Sequence, residues 1–133
     1  MSDDQPKRPE EEILRPVPVH PDPGKYIDVE RYIAHLKHSI TASTEWVLFE
    51  PNGETLWGQV RNTIDDFLMN EWRSGVLKGT SAQQAYFVRC DRSTMTQNDL
   101  DNGRLICDVG VAPVKPAEFV IFRISQWTAD RKK

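Results

Sequence analysis

Cysteine is scarce: the 133 residues hold only Cys90 and Cys107. No CxxC is present. The pair fits a reducing compartment better than a disulfide framework. A redox or zinc pair would have to sit close together in a loop-like setting. Both cysteines fall in predicted strands, so they are expected to be buried free thiols acting as small hydrophobes. Histidine is also scarce, with His20, His35 and His38 the only three. His35 and His38 are three apart on a predicted helix, but no third ligand has metal-type spacing. They are expected to be surface histidines, and no metal or cofactor is expected. No run of 18 apolar residues exists, so no segment reads as a membrane span. GxSxG, Walker and GxGxxG patterns are missing, and no enzyme activity is expected.

Net charge is missing from most of the chain. The formal charge is −3. All of it falls in the first 24 residues, which carry six acids and three bases. The remainder has 14 acids and 14 bases and is neutral. A neutral body lacks the clustered basic surface that nucleic acid requires. Apolar residues make up 38%, a low share, and the shortfall is local. Six of the nine prolines lie in the same 24 residues. This stretch reads as an extended or disordered arm, because proline at such density blocks helix and few apolar groups offset ordering entropy. It has no apolar core of the secretory-signal type.

What is present from Lys25 onward is periodic. Asp28 can cap a helix in which Val29, Tyr32, Ile33, Leu36 and Ile40 form one stripe. Glu45-Trp46-Val47-Leu48-Phe49-Glu50 reads as a short buried strand before the Pro51-Asn52-Gly53 turn. Asn52 can cap a second helix with Leu56, Val60, Ile64, Phe67, Leu68 and Trp72 on its buried face. Gly75 suits the left-handed position that ends it. A short helical turn near Thr80 or Ser81 precedes a strand over residues 85–91. Thr96 and Asp99 stand at capping-box spacing over a short helix closed by Gly103. Strands are expected at 104–111 and 118–127. The fold class is α+β: a small sheet of about four strands covered by two main helices, with extended terminal arms. The expected division is an arm at 1–24, a domain at 25–127 and a charged tail at 128–133.

Paired acids offer no clear chemistry. Asp65 and Asp66 are adjacent, so they point in different directions on a helix. Four tryptophans and five phenylalanines are a core's worth of aromatics. Interaction is the better-supported class. The last strand is long and apolar at Phe119, Ile121 and Ile124, and such a strand either stays as an edge or pairs with another molecule's sheet.

Several motifs occur in order. They are Trp46-Val47-Leu48-Phe49-Glu50-Pro51-Asn52, Leu56-Trp57, and Trp72-Arg73-Ser74-Gly75 with Leu77 and Gly79. Phe87-Val88-Arg89-Cys90-Asp91, Thr94-Met95-Thr96-Gln97 and Asn102-Gly103-Arg104-Leu105 follow. The run from Gly110 to Val120 completes the set. Together they resemble the C-terminal domain of contractile tail sheath proteins, found in myophage tails, R-type tailocins and extracellular injection systems. The resemblance spans about residues 25–127, with Asp28 where that family usually has Asn.

The resemblance implies a mechanical role. Sheath subunits stack as sixfold rings around an inner tube and drive it forward on contraction. Arms from neighbouring subunits add strands to this domain's sheet, a case of β-augmentation. The implied partners are neighbouring sheath subunits and the inner tail tube protein, in a particle assembled in the bacterial cytoplasm. The implied tube-contact residues are Thr96, Asn98, Asp99, Asp101 and Asn102. The implied inter-subunit strand residues are Arg123, Ile124, Gln126, Trp127 and Thr128. Sheath proteins usually run to several hundred residues. The chain is therefore expected to be a piece of a longer sheath, or a short sheath-domain protein acting as a cap, adaptor or assembly component.

Overall fold

A computed structural model describes residues 28–115 and 117–132. The acidic, proline-rich arm with His20, and the approach to the first helix at Lys25, lie outside the described residues.

Helix α1 spans Val29–Ser43. Asp28 caps it, its carboxylate accepting from the Arg31 amide at 3.2 Å. Val29, Ile33, Leu36 and Ile40 are buried, as the three-and-four spacing predicts. Tyr32 is half-buried and its hydroxyl donates to Glu71 Oε1 at 2.6 Å. Burial, then that carboxylate bond, pushes the phenol well above its usual range. Thr44 stops the helix and is itself buried, its hydroxyl donating to the Ile40 carbonyl at 2.8 Å.

The expected strand at residues 45–50 is instead a 3₁₀ helix, Glu45–Phe49. A three-residue period carries Thr44 and Val47 inward, and both are buried. Leu48 and Phe49 turn out to solvent, Phe49 by 77%. The Thr44 and Val47 carbonyls accept from the Val47 and Glu50 amides, which commits this backbone to the turn rather than to a ladder. The four-residue apolar run Trp46–Phe49 carries no periodicity that separates the two states. Among the described residues the sheet consequently has three strands, not about four.

Helix α2 spans Glu54–Arg73 and buries Leu56, Trp57, Val60, Ile64 and Leu68. Phe67 and Trp72 are half-buried. Each fully buried Leu or Ile contributes about 1.5–3 kcal/mol. Gly53, not Asn52, is the N-cap. The Asn52 side chain is used elsewhere: it accepts from Trp57 Nε1 at 2.8 Å and donates to the Arg104 carbonyl at 3.2 Å. Gly75 follows the helix at φ 90°, the left-handed position expected of it.

A short helix α3, Ala82–Ala85, leads into β1, Tyr86–Arg89. Helix α4 is Gln97–Asp101 and carries the predicted capping box. Strands β2, Arg104–Val111, and β3, Val120–Trp127, complete the domain. The sheet order is β1-β2-β3, antiparallel throughout. Alternation puts Leu105, Cys107, Val109, Val111, Phe122 and Ile124 in the core. Helix α2 packs against β1, and α1 against β3. The class is α+β, with two main helices over one sheet face.

Candidate functional site

The other sheet face has no long helix over it among the described residues. The register stacks Phe87, Gly110 and Ile121 in one row, and Arg89, Asp108 and Arg123 in the next. Phe87 lies across Gly110, where a Cβ would meet its ring. Phe119 meets the Phe87 ring edge-on, centroids 5.1 Å apart. Phe119 and Ile121 are 43% and 51% exposed. Beyond this apolar end, Arg123 Nε donates to Asp108 Oδ1 at 2.8 Å, which raises the guanidinium's pKa further.

The far end of β3 carries a second apolar patch. Leu48, Phe49 and Trp127 are exposed and, with Glu45, Gln126 and Arg131, line a groove of about 420 Å³. The Arg104 guanidinium lies 5.0 Å from the Trp127 ring centroid. The same Arg104 donates to Asp99 Oδ1 at 2.8 Å. A separate groove of about 560 Å³ is lined by Glu54, Trp57, Arg61, Asp91, Arg92 and Ser93. Its charges balance two against two, so it favours neither anion nor cation.

Helix α4 holds the expected tube-contact residues. Thr96 Oγ1 accepts from the Asp99 amide at 3.0 Å, and Asp99 Oδ2 from the Thr96 amide at 2.9 Å. The Thr96 amide, and after it the Thr96 hydroxyl and Arg104, hold the Asp99 carboxyl below the usual range. Asn102 Nδ2 donates to Asn98, and Gln97 Nε2 donates to Asp101 Oδ1. Thr96 and Asp99 therefore build the helix end, while Asn98 and Asp101 face solvent.

The expected strand residues Arg123, Ile124, Gln126 and Trp127 all lie in β3, paired with β2 of the same chain. Ile124 is in the core. Gln126 Nε2 donates to the Thr41 carbonyl at 2.9 Å and to Thr44 Oγ1 at 3.0 Å. Thr128 is wholly buried, its amide and hydroxyl both donating to the Gly103 carbonyl. Residues 129–132 fold back rather than extend. The Ala129 amide donates to the Glu50 carbonyl at 3.0 Å, and the Asn52 amide donates to Asp130 Oδ2 at 3.0 Å. Among the described residues nothing pairs with the outer edge of β1 or of β3.

Sequence reasoning missed the docked tail and the Leu48–Phe49–Trp127 patch. The only hint of the tail was Gly103, whose φ of 74° and tight packing against Asp130 and Arg131 demand a residue without a Cβ. His35 and His38 are exposed on α1. Among the described residues no three His, Cys, Asp or Glu side chains gather as a metal site, and no helix is long and apolar enough to cross a membrane.

A family model described as the phage tail sheath C-terminal domain matches residues 21–126. The chain belongs to that family. The sheath domain is also similar to solved structures. One, from the anti-feeding prophage baseplate with sixfold symmetry imposed, has 40% identity and a TM-score of 0.63, over 73% of this chain and 27% of that one. Another, the PVC extracellular contractile injection system sheath complex in its contracted state, has 37% identity and a TM-score of 0.62, over 84% of this chain and 31% of that one. A contracted anti-feeding prophage baseplate has 28% identity and a TM-score of 0.62, over 71% and 25%. The sheath domain thus spans about a quarter to a third of the length of these neighbours. A comparison with curated proteins found no match. The family is a structural one, and the solved neighbours are parts of contractile particles assembled from many subunits.

Proposed function

We propose that this sheath domain is a strand-linked structural unit of a contractile tail, assembled with other sheath subunits around an inner tube. The observation that carries the reading is the family match across residues 21–126, on a sheet whose two edges are unpaired among the described residues. Because β3 is paired at home, the domain acts as a receiver: strands from neighbouring subunits add to the outer edge of β1 or β3. Main-chain pairing of that kind tolerates rotation between subunits, which contraction requires. On the tube side, α4 presents Asn98 and Asp101, and Asp99 positions the helix through its cap and Arg104. Exposed pairs of this type contribute about 0–1 kcal/mol each, suited to a contact made many times and released. No catalytic role enters this reading. The particle would be a phage tail or related injector, put together in the bacterial cytoplasm.

The second reading is a short sheath-domain protein acting as a cap, adaptor or assembly component. Copy number separates the two. Quantitative mass spectrometry of intact particles should find the chain at the level of the sheath, in many copies per particle. One or six copies would favour the adaptor. Absence from the particle would sink both.

A further inference from the structure

Beyond the sheath reading, we propose that Cys90 and Cys107 form a reversible cross-strand disulfide that locks β1 onto β2. The register pairs Arg89 with Asp108, so the next antiparallel step sets Cys90 opposite Cys107. Directly opposed residues in an antiparallel ladder have Cα atoms about 4.5–5.5 Å apart, inside the range a disulfide bridges. Both side chains point into the core and both thiols are free and fully buried. The neighbouring Cys90 side chain, followed by burial, pushes the Cys107 thiol far above its ordinary value. The Cys90 carbonyl accepts from Arg61 Nη1 at 2.6 Å, which ties this end of the chain to α2.

The burial that protects the pair also sets the condition for reaction. Burial of both sulfurs, with the raised pKa of the Cys107 thiol, keeps the pair inert while β1 is closed. Among the described residues, strand β1 has four residues and hydrogen-bonds to one neighbouring strand, so it belongs to the part of the sheet that opens at least cost. In the open form a small-molecule disulfide is the oxidant. One cysteine thiolate attacks it and releases one reagent thiol, leaving a mixed disulfide. The second cysteine attacks that sulfur, the Cys90–Cys107 bond forms, and the second reagent thiol leaves. The two cysteine protons end on the reagent thiols, and two electrons pass from the cysteine sulfurs to the reagent. The cross-link then holds shut the outer strand. If the domain serves in a released particle, passage from a reducing to an oxidising medium would set the lock.

The test uses the full chain equilibrated across a series of reduced and oxidised glutathione mixtures. The expected product is a monomer about 2 Da lighter than the reduced chain. Its tryptic map should join the Cys90 and Cys107 peptides, and dithiothreitol should restore both thiols. Amide exchange at Phe87 and Arg89, the β1 positions whose amides face β2, should slow roughly tenfold or more in the oxidised form. Glutathione adducts without the linked peptide, or disulfide dimers, would overturn the proposal. So would two free thiols in oxidising mixtures at a urea concentration where the β1 amides exchange freely. Because every readout is taken on the isolated chain, failure here would leave the sheath reading untouched.

Discussion

At the residue scale, two glycines with the same backbone demand behave differently. Gly75 and Gly103 both have positive φ, 90° and 74°. A Cβ at Gly75 would meet nothing within 4 Å, whereas one at Gly103 would run into the backbone of Asp130 and Arg131. Gly75→Ala should therefore cost only the left-handed penalty, about 1–2 kcal/mol. Gly103→Ala should cost clearly more and should also release the tail. Urea unfolding curves of the two variants check the order, and equal losses would contradict the packing argument. Asp99 gives a pH prediction. Its folded pKa is depressed by the cap and by Arg104, so its contribution is present above the unfolded value and lost as pH falls through the folded one. Thermal melts should show the wild type losing stability below about pH 4. Asp99→Asn should flatten that part of the profile and lower stability at neutral pH. A variant with an unchanged acid limb would mean that Asp99 is not the group responsible. Asp99→Lys is correspondingly a poor probe of any partner contact, because it breaks the helix cap. Asp101→Lys, at an exposed position whose one bond is to Gln97, is the cleaner probe.

At the element scale, the tail behaves as part of the fold. Deleting residues 129–133 removes the Ala129–Glu50 and Asp130–Asn52 hydrogen bonds, each contributing a net 0.5–1.5 kcal/mol or so. The truncated chain should lose about 1–3 kcal/mol in chemical denaturation yet keep its far-ultraviolet spectrum. No loss would show that the tail is unneeded by the domain. Extending the cut through Thr128 should be far worse, since that side chain is buried and holds Gly103. The pattern of success in reading these elements follows from their physics. The helices α1 and α2 were legible because 15 and 20 residues give the apolar stripe several turns to repeat. The capping box of α4 was legible because two side chains and a spacing define it. Residues 45–49 were not, since a run that short fits either period. The tail was not, because its bonds are mostly to backbone groups and leave little side-chain pattern. The apposition of Cys90 and Cys107 lay hidden for a different reason: the strands were readable, but their register was not. Four of the five residues implied as strand donors, Arg123, Ile124, Gln126 and Trp127, lie in β3, and only the register shows that β2 already holds them, while Thr128 lies just beyond the strand.

At the scale of the whole molecule, the exposed apolar surface is divided rather than continuous. One patch is Phe87, Phe119 and Ile121, and the other is Leu48, Phe49 and Trp127. Ile121 and Trp127 are six residues apart on β3, so the patches stand about 20 Å from one another, with the Arg123–Asp108 pair between. A self-complementary dimer needs one patch that meets its own copy. Two unlike patches at opposite ends of a face instead suit a head-to-tail contact, in which one surface of a subunit meets a different surface of the next. Such a contact makes rings or open stacks, as the sheath reading requires. The neutral body, with 14 acids and 14 bases after the arm, opposes neither outcome by long-range repulsion. The expected result is concentration-dependent association of the purified chain in sedimentation velocity, extending beyond a dimer. Phe49→Asp and Ile121→Asp should each suppress it. Both side chains are more than half exposed, so each variant should keep its stability within about 0.5 kcal/mol. An equimolar mixture of the two variants decides the geometry. If one patch meets the other, the mixture can join its remaining good surfaces once, and growth should stop at a heterodimer. If each patch meets its own copy, the mixture should form two separate homodimers, and the head-to-tail arrangement would fall.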